Sequence, residues 1–201
     1  EGKYRFQVRH KWQVNNDTLF TLELNNVRDD NFMKYYFEKE WEEQRQPDNY
    51  LSFVTTKNDY TTTFLARVRM DKYYDVVQRL PEYSIDIPQY NIKYNGESSP
   101  LYYNMRSAFV YLNRAFRDNS SIGPMRKDLD VIRLDTYNRL NYPVKLFKAL
   151  SVTPYAATRQ TFYSRNALGR TNIVRGVFSA GVDNSIKFYK VYDVQTNALG
   201  L

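Results

Sequence analysis

Charged side chains recur at every second position in several stretches of this chain, and the chemistry that this spacing suits is contact with other charged groups. Between Ile132 and Leu140, for example, Arg133, Asp135 and Arg139 alternate with apolar or small residues. Arginine presents a planar fork of donors that binds phosphate or carboxylate bidentately. The simpler interpretation is that such residues pair with one another across neighbouring strands. Seven residues form this candidate set: Arg67, Arg69, Arg106, Arg133, Asp135, Arg139 and Arg159.

The residue types that most catalytic and metal sites require are scarce. The chain has no cysteine, so it cannot assemble a thiolate metal site from its own residues, and its single histidine, His10, disfavours a histidine-based metal site or a Ser-His-Asp triad. It also contains no glycine-rich phosphate loop, and no two carboxylates stand out as the acid and base of a glycosidase. We therefore expect no enzyme, no catalytic residue, no cofactor and no metal.

The elements that carry these charges are predicted to be strands. Ile132, Leu134, Thr136 and Leu140 point to one side and the charged residues between them to the other, because successive strand side chains face opposite sides. About nine residues of this pattern suffice to cross a bilayer as a tilted strand. Long cations on the polar face are typical of a water-filled barrel lumen. The predicted fold class is all-β: an antiparallel meander of about nine or ten long strands, part of a large transmembrane β-barrel.

The same alternation, broken by turn residues, predicts the element boundaries. A hairpin is expected over residues 3–14 and 19–27, a second pair over 50–56 and 60–74, and later strands over 81–88, 100–116, 129–140, 150–164 and 176–191. Pro81 is expected to begin its strand, and Pro154 to cause a bulge or a broken ladder. Asn95-Gly96 predicts a tight turn, while residues 117–128 and 165–175 read as loops.

Residues 28–46 break the strand pattern, and a short amphipathic helix or an ordered acidic loop fits them equally well. The segment is rich in carboxylates, which could bind divalent cations, although a solvated surface is the favoured interpretation. The acidic residues are Asp29, Asp30, Glu38, Glu40, Glu42 and Glu43.

The net charge of +7 over 201 residues indicates attraction to an anionic partner, such as nucleic acid, a phosphorylated glycolipid or an acidic protein. Lysine and arginine are spread over every predicted strand and loop instead of forming one patch, and no nucleic-acid-binding module is recognisable. We therefore expect no nucleic acid partner. The 19 tyrosines suit a membrane–water interface or a half-buried sheet face.

Five short segments, in order, resemble the barrel domain of the lipopolysaccharide-assembly outer-membrane proteins, the LptD (OstA C-terminal) family. Residues 26–32 resemble the point where a family strand enters an extracellular loop, and residues 78–85 the motif that reads Q-R-L-P-E. Residues 100–103 (Pro-Leu-Tyr-Tyr), 133–143 and 152–164 resemble three further family motifs. Two positions depart from the pattern: Arg28 stands where the family usually has serine, and Asn138 where proline is common.

The resemblance implies a large barrel in the bacterial outer membrane that inserts lipopolysaccharide into the outer leaflet. It also implies a plug lipoprotein inside the barrel, periplasmic bridge proteins and outer-membrane lipids as partners. The seven candidate residues would then face the lumen and contact the phosphates of the lipid or the plug. Residues 1–201 are expected to be one partial barrel domain, without signal peptide, whose periplasmic domain and remaining strands lie elsewhere in a longer polypeptide.

Two alternatives stay open at this point. One is another outer-membrane receptor or porin-type barrel. The other is a soluble β-sandwich that binds glycans, which would require a second layer over the apolar face of residues 101–111.

Overall fold

Ten antiparallel strands form one sheet in this computed structural model, which describes residues 3–29, 31–43, 48–71, 75–116, 129–146, 149–166 and 169–188. Two short helices, α1 and α2, lie between the second and third strands. The strands are β1 (Arg5–Asn15), β2 (Thr18–Val27), β3 (Tyr50–Thr56), β4 (Thr61–Arg67), β5 (Val76–Tyr94), β6 (Glu97–Ala115), β7 (Leu129–Asn141), β8 (Val144–Leu146), β9 (Leu150–Arg165) and β10 (Thr171–Ile186).

Neighbouring strands follow chain order across the sheet, β1-β2-β3-β4-β5-β6-β7-β9-β10, with β8 paired to β9. Every pairing is antiparallel. The predicted all-β antiparallel meander is therefore confirmed. Within the described residues β1 and β10 do not pair with each other, so the sheet is open, as a segment of a larger barrel would be.

Turn chemistry was a reliable guide at the tight hairpins. The predicted first hairpin is confirmed, with β1 and β2 paired from Arg5↔Val27 to Trp12↔Phe20 in unbroken register. Asn95 and Gly96 have φ of 51° and 83°, which is the left-handed region that a two-residue hairpin turn requires. Asparagine and glycine adopt this conformation at low cost, so the predicted turn is confirmed as well.

Three predicted boundaries were wrong. β5 begins at Val76 and not at Pro81. Pro81 lies inside the strand, where a register shift between Arg79 and Glu82 accommodates it. β4 ends at Arg67, well before the predicted end; residues 72–74 lie outside the described part. β10 begins at Thr171, so residues 171–175 belong to a strand and not to a basic loop. The predicted end of that strand at residue 191 and the loop at 117–128 also lie outside the described residues.

Pro154 interrupts the ladder on one side of β9 only. On the β10 side it pairs with Val182 in continuous register. On the other side, pairing with β7 ends at Tyr155 and pairing with β8 resumes at Val152. Proline has no N–H to donate, so the break falls where a donor is missing. The predicted connection at residues 142–143 holds, with the short strand β8 following it, and the Pro154 carbonyl accepts a hydrogen bond from the Tyr142 N–H (3.0 Å).

The segment that breaks the strand pattern contains two helices, α1 (Phe32–Tyr36) and α2 (Glu38–Glu43). The helical alternative for this segment is thus the correct one, although Asn31 makes no side-chain capping bond. The helices fold back over β1: Met33 is buried, and the guanidinium of Arg5 lies 4.6 Å from the ring centroid of Phe37. No helix in the described part of the chain is long and apolar enough to cross a membrane.

One row of apolar side chains crosses the sheet on a single face. Each member lies directly opposite the next on the neighbouring strand, so all of them point the same way. Many are exposed, including Phe109 at 40% and Leu134 at 47%, because no second layer of described residues covers this face. This apolar row consists of Trp12, Phe20, Phe53, Phe64, Tyr83, Phe109, Leu134, Phe162 and Val174.

At one end of the sheet, the last strand extends much farther beyond the apolar row than the first strand does. Asn15, the last residue of β1, lies three positions beyond Trp12, whereas Ile186, the last residue of β10, lies twelve positions beyond Val174. A stagger in one direction is what tilted strands produce, and closing a sheet into a barrel requires such a stagger. The register therefore fits a segment of barrel wall.

Candidate functional site

The face opposite the apolar row, called here the charged face, carries most of the strand charges. Cross-strand partners place a residue on one face or the other: Phe109 pairs with Leu134 on the apolar side, and Ala108 with Asp135 on the charged side. The alternation read from residues 132–140 is thus confirmed by the pairing. Charged residues on this face include Arg5, Arg9, Lys11, Glu23, Arg67, Arg79, Glu82, Asp86, Arg106, Arg133, Asp135, Arg139, Arg159, Arg175 and Asp183.

Asp135 is the centre of the densest contact network on the charged face. Its carboxylate accepts hydrogen bonds from Arg159 Nε (3.1 Å) and Nη2 (2.7 Å), a bidentate arrangement, and from Thr161 Oγ1 at 2.6 Å. Arg133 Nη2 lies 3.5 Å away. The bidentate geometry is the stronger form of an arginine–carboxylate pair. One carboxylate thus holds side chains from two neighbouring strands, β7 and β9.

Arg139 belongs to a second network on the same face. Its guanidinium carbon lies 3.9 Å from the ring centroid of Tyr155, and its Nη2 donates to Asp183 at 2.5 Å. Gly181 lies opposite Tyr155, and a Cβ at that glycine would come within 2.8 Å of the Tyr155 hydroxyl. A glycine is therefore needed in β10 for the tyrosine ring to lie flat beneath the arginine. The network links β7, β9 and β10.

The remaining candidates are arranged less uniformly. Arg106 donates to Asp86 on β5 at 2.6 Å, and Arg67 lies 3.5 Å from Asp48, with its Nε buried. Arg69 lies beyond the end of β4, where its Nη1 donates to the Phe116 carbonyl at 2.5 Å. The structure thus gathers Arg133, Asp135 and Arg159, and leaves Arg67 and Arg69 apart from them. It brings six of the seven to the charged face.

Sequence reasoning did not single out the carboxylates that complete these pairs. Asp86 lies one strand away from Arg106 and Asp183 lies two strands away from Arg139, so only the register identifies them. It also missed Arg175, because residues 165–175 were interpreted as a loop. The alternation of Val174 and Val177 with Arg175 and Gly176 was too irregular to show where the strand starts.

Outside the strands, Asp71 fastens the segment after β4 to the end of β2. It is buried, and its Oδ1 accepts hydrogen bonds from Asn26 Nδ2 (3.0 Å) and from the Val27 N–H (3.3 Å). Burial raises the pKa of the Asp71 carboxyl above 3.8, against the opposing effect of the Val27 N–H.

The acidic helical segment is held by cations and not arranged around an ion. Glu40 Oε2 accepts a hydrogen bond from Arg5 Nη2 at 2.6 Å, and this bond lowers the pKa of Glu40. Asp29 lies 3.3 Å from Lys3 Nζ. Among the described residues, no three carboxylate or imidazole groups come together as a metal site would require. Asp30, one of the acidic residues considered above, lies outside the described part.

The sheet has one exposed apolar face and one face of paired charges. This arrangement is typical of β-barrel membrane proteins, whose wall separates lipid from water, and it assigns the chain to that class. The chain belongs to the LptD family, described as LPS transport system D, whose model matches residues 2–198. Among curated proteins, none matches the chain.

Membership of this family confirms the resemblance read from the five motifs. It supports a role in lipopolysaccharide transport and assembly, in a family of Gram-negative outer-membrane proteins. The family is one of transport and assembly proteins and not of enzymes, which fits the expectation of no catalytic function.

Proposed function

We propose that this chain is a wall segment of an outer-membrane β-barrel that inserts lipopolysaccharide into the outer leaflet. The observation that carries the proposal is the two-faced sheet in a chain of the LptD family. No bond has to be made or broken in such a transfer, so the wall needs correct surfaces and no acid–base pair.

In this proposal the apolar row faces the hydrocarbon of the bilayer and the charged face lines a hydrated lumen. Exposed apolar side chains gain free energy when lipid covers them, because apolar surface leaves water. The ion pairs of the charged face stay in contact with water, so they avoid the desolvation cost that charges incur in hydrocarbon. Lipopolysaccharide combines acyl chains with charged saccharide, and a wall with these two faces suits both parts.

The seven candidate residues are proposed as the lumenal contacts of the lipid phosphates or of an acidic surface of a plug. Arg133 and Arg159 hold Asp135 between them, so an incoming phosphate would share these arginines with the carboxylate. A plug lipoprotein in the lumen, periplasmic bridge proteins and the outer-membrane lipids are the proposed partners. Residues 1–201 would form one partial domain, completed by strands of the longer polypeptide.

The barrel is tested on the parent protein by its electrophoretic mobility in mild detergent before and after boiling. We expect a compact band from purified outer membranes that migrates more slowly once boiled, because closed barrels resist the detergent until they are heated. A protein that stays in the soluble fraction and migrates according to its mass in both samples would refute the barrel.

The transport role requires a second measurement, made in cells depleted of the parent protein. Lipopolysaccharide labelled at the cell surface should fall as the protein is lost, while the total amount made by the cell is maintained. Depletion of an unrelated outer-membrane barrel is the control. If surface lipopolysaccharide stays unchanged after depletion has removed the compact, heat-sensitive band, the barrel carries another cargo, which is the receptor or porin alternative.

A further inference from the structure

A groove of about 380 Å³ lies on the charged face, at the end of the sheet where β6 and β9 finish and β7 and β10 begin. Pockets for small ligands usually have volumes of about 300–1,000 Å³ and combine an apolar lining with a few polar groups. The lining here is apolar along its floor, where Leu112 and Val131 are directly opposed on β6 and β7. Tyr163 on β9 and Ile173 on β10, which lie opposite each other, extend the floor.

Three arginines surround this floor: Arg114 from β6, Arg165 from β9 and Arg175 from β10. All three are exposed. The guanidinium of Arg114 lies 4.8 Å from the Phe116 ring centroid, and that of Arg175 lies 5.7 Å from the Tyr163 ring centroid. These aromatic contacts orient the two guanidinium groups without neutralising them.

The groove differs from the rest of the charged face in its charge balance. Elsewhere the arginines face carboxylates, as Arg106 faces Asp86 and Arg159 faces Asp135. In the described part of the chain, no carboxylate forms an ion pair with Arg114, Arg165 or Arg175; the nearest charge interaction is that of Arg165 with Asp130 on β7, which is not an ion pair. Three like charges around one apolar floor repel one another, and an anion between them would relieve this repulsion.

We propose that this groove binds a phosphorylated saccharide, with the arginines on the phosphate and the apolar floor against the C–H faces of the sugar ring. The proposal rests on the proposed function, since lipopolysaccharide is the saccharide-bearing cargo, and it adds a defined contact site for its sugar portion. Bidentate arginine bonds suit phosphate oxygens. The floor is too small and too flanked by charge to serve as a face for lipid.

The test uses the full-length parent protein in non-ionic detergent and a deacylated, phosphorylated oligosaccharide prepared by alkaline hydrolysis of lipopolysaccharide. Binding is measured by titration calorimetry for the unchanged protein and for the triple variant R114Q/R165Q/R175Q. We expect the variant to bind at least tenfold more weakly. The same oligosaccharide with its phosphates removed should bind weakly to both proteins, because the arginines would have no anion to contact.

A matched control removes three positive charges from the same face at a distance from the groove. The variant R9Q/K11Q/K145Q changes β1 and β8, and it should bind the phosphorylated oligosaccharide as the unchanged protein does. Equal weakening in both triple variants would mean that net charge alone attracts the ligand, which overturns the site.

Two further results would also overturn it. Inorganic phosphate that displaces the oligosaccharide at equal concentration would mean an adventitious ion only, and binding that requires the acyl chains would mean that the groove does not recognise the sugar. The apolar floor is tested by L112S/V131S, which keeps all three arginines and should weaken binding of the oligosaccharide without affecting that of phosphate. Each of these results is independent of the depletion experiment, so the groove can fail while the transport role stands.

Discussion

At the scale of single residues, the arginines of the charged face depend on what lies beneath and beside them. Arg139 reaches Asp183 on β10 while resting on the Tyr155 ring, and the ring lies flat because Gly181 has no side chain. The charged face is thus a packed surface in which a glycine and a tyrosine set the position of a guanidinium. It is not a row of independent cations.

Gly181→Ala should therefore destabilise the sheet. The new Cβ would lie 2.8 Å from the Tyr155 hydroxyl, and the ring cannot move towards Arg139 without displacing the guanidinium, which already lies 3.9 Å from the ring centroid. We expect a loss of about 1–3 kcal/mol in the free energy of unfolding, as for other overpacked sites. The temperature at which the compact electrophoretic band of the parent protein disappears is the measurement.

The matched control is Gly176→Ala in the same strand, where an added Cβ meets nothing within 4 Å. That variant should unfold within about 0.5 kcal/mol of the unchanged protein, as for ordinary surface changes. Equal effects at the two glycines would show that Tyr155 is free to move, and the packing argument would then be wrong.

At the scale of elements, the connections are fastened to the sheet by side chains from distant parts of the chain. Arg5 on β1 binds Glu40 of α2. Asp71, in the segment after β4, accepts hydrogen bonds from Asn26 and Val27 at the end of β2. Connecting segments usually lie on the surface and move more than the strands they join. Here two of them are pinned, so part of each connection behaves as an extension of the sheet.

Asp71→Asn should make stability less sensitive to pH. Burial raises the pKa of the folded carboxyl above 3.8, so the folded protein binds more protons than the unfolded one over the range from 3.8 up to the raised value. The free energy of unfolding of the unchanged protein therefore falls as pH rises through this range and stays lower above it. Asparagine keeps the acceptor oxygen for Asn26 and Val27 but carries no charge, so it avoids this loss.

We expect the unfolding midpoint of D71N to exceed that of the unchanged protein at pH 8, and the difference to shrink at pH 4. Thermal unfolding of the parent protein in detergent at both pH values is the measurement. Asp71→Ala removes the acceptor as well and should unfold more easily at either pH, because buried donors lose their partner. A D71N midpoint below that of the unchanged protein at pH 8 would contradict the argument.

At the scale of the whole molecule, the sheet has too few buried residues to be stable as a free layer in water. The buried apolar residues of the described part are Val27, Met33, Val110, Ala115 and Ala157, while large apolar side chains are exposed on β1, β5, β6, β7 and β10. Stability in the proposed setting comes from lipid on one face and from closure of the barrel by further strands, since closure removes open edges.

Two neighbouring positions on β10 test which face meets lipid. Phe178 is 70% exposed on the side of the apolar row, and Ser179 is exposed on the charged face. Phe178→Arg should destabilise the assembled parent protein by up to about 2–4 kcal/mol, depending on its depth in the bilayer. Ser179→Arg should have an effect of about 0.5 kcal/mol or less.

The measurement is the amount of compact, heat-sensitive protein that each variant leaves in purified outer membranes. Because the two positions are adjacent, differences in strand location cannot explain a difference between them. A larger loss for S179R than for F178R would reverse the assignment of the two faces.

Much of the fold was predictable because strand alternation and turn chemistry are local properties. The turn at Asn95-Gly96 and the opposed sets around Ile132 and Arg133 needed only neighbouring residues. The boundaries that were wrong lie where local signals conflict with pairing. Pro81 is accommodated by a register shift, and the early start of β10 depends on hydrogen bonds with β9.

The candidate site was predictable only in part, because its contacts also depend on how the strands pair. Alternation shows that Arg133, Asp135 and Arg139 share a face, but a partner on another strand depends on register, which short sequence patterns do not specify. Asp183, which binds Arg139, lies 44 residues away in the chain. The arginines of the groove likewise come from three separate strands.

The sequence by itself determined the class of the fold, the two opposed faces and the family, because these depend on residue types at fixed spacing along one strand. The tertiary structure alone decided which charges are paired, where Gly181 makes room for Tyr155, and that Arg114, Arg165 and Arg175 surround one groove without an ion pair to a described carboxylate. Those facts arise from register across the sheet, where residues distant in the chain lie about 5 Å apart.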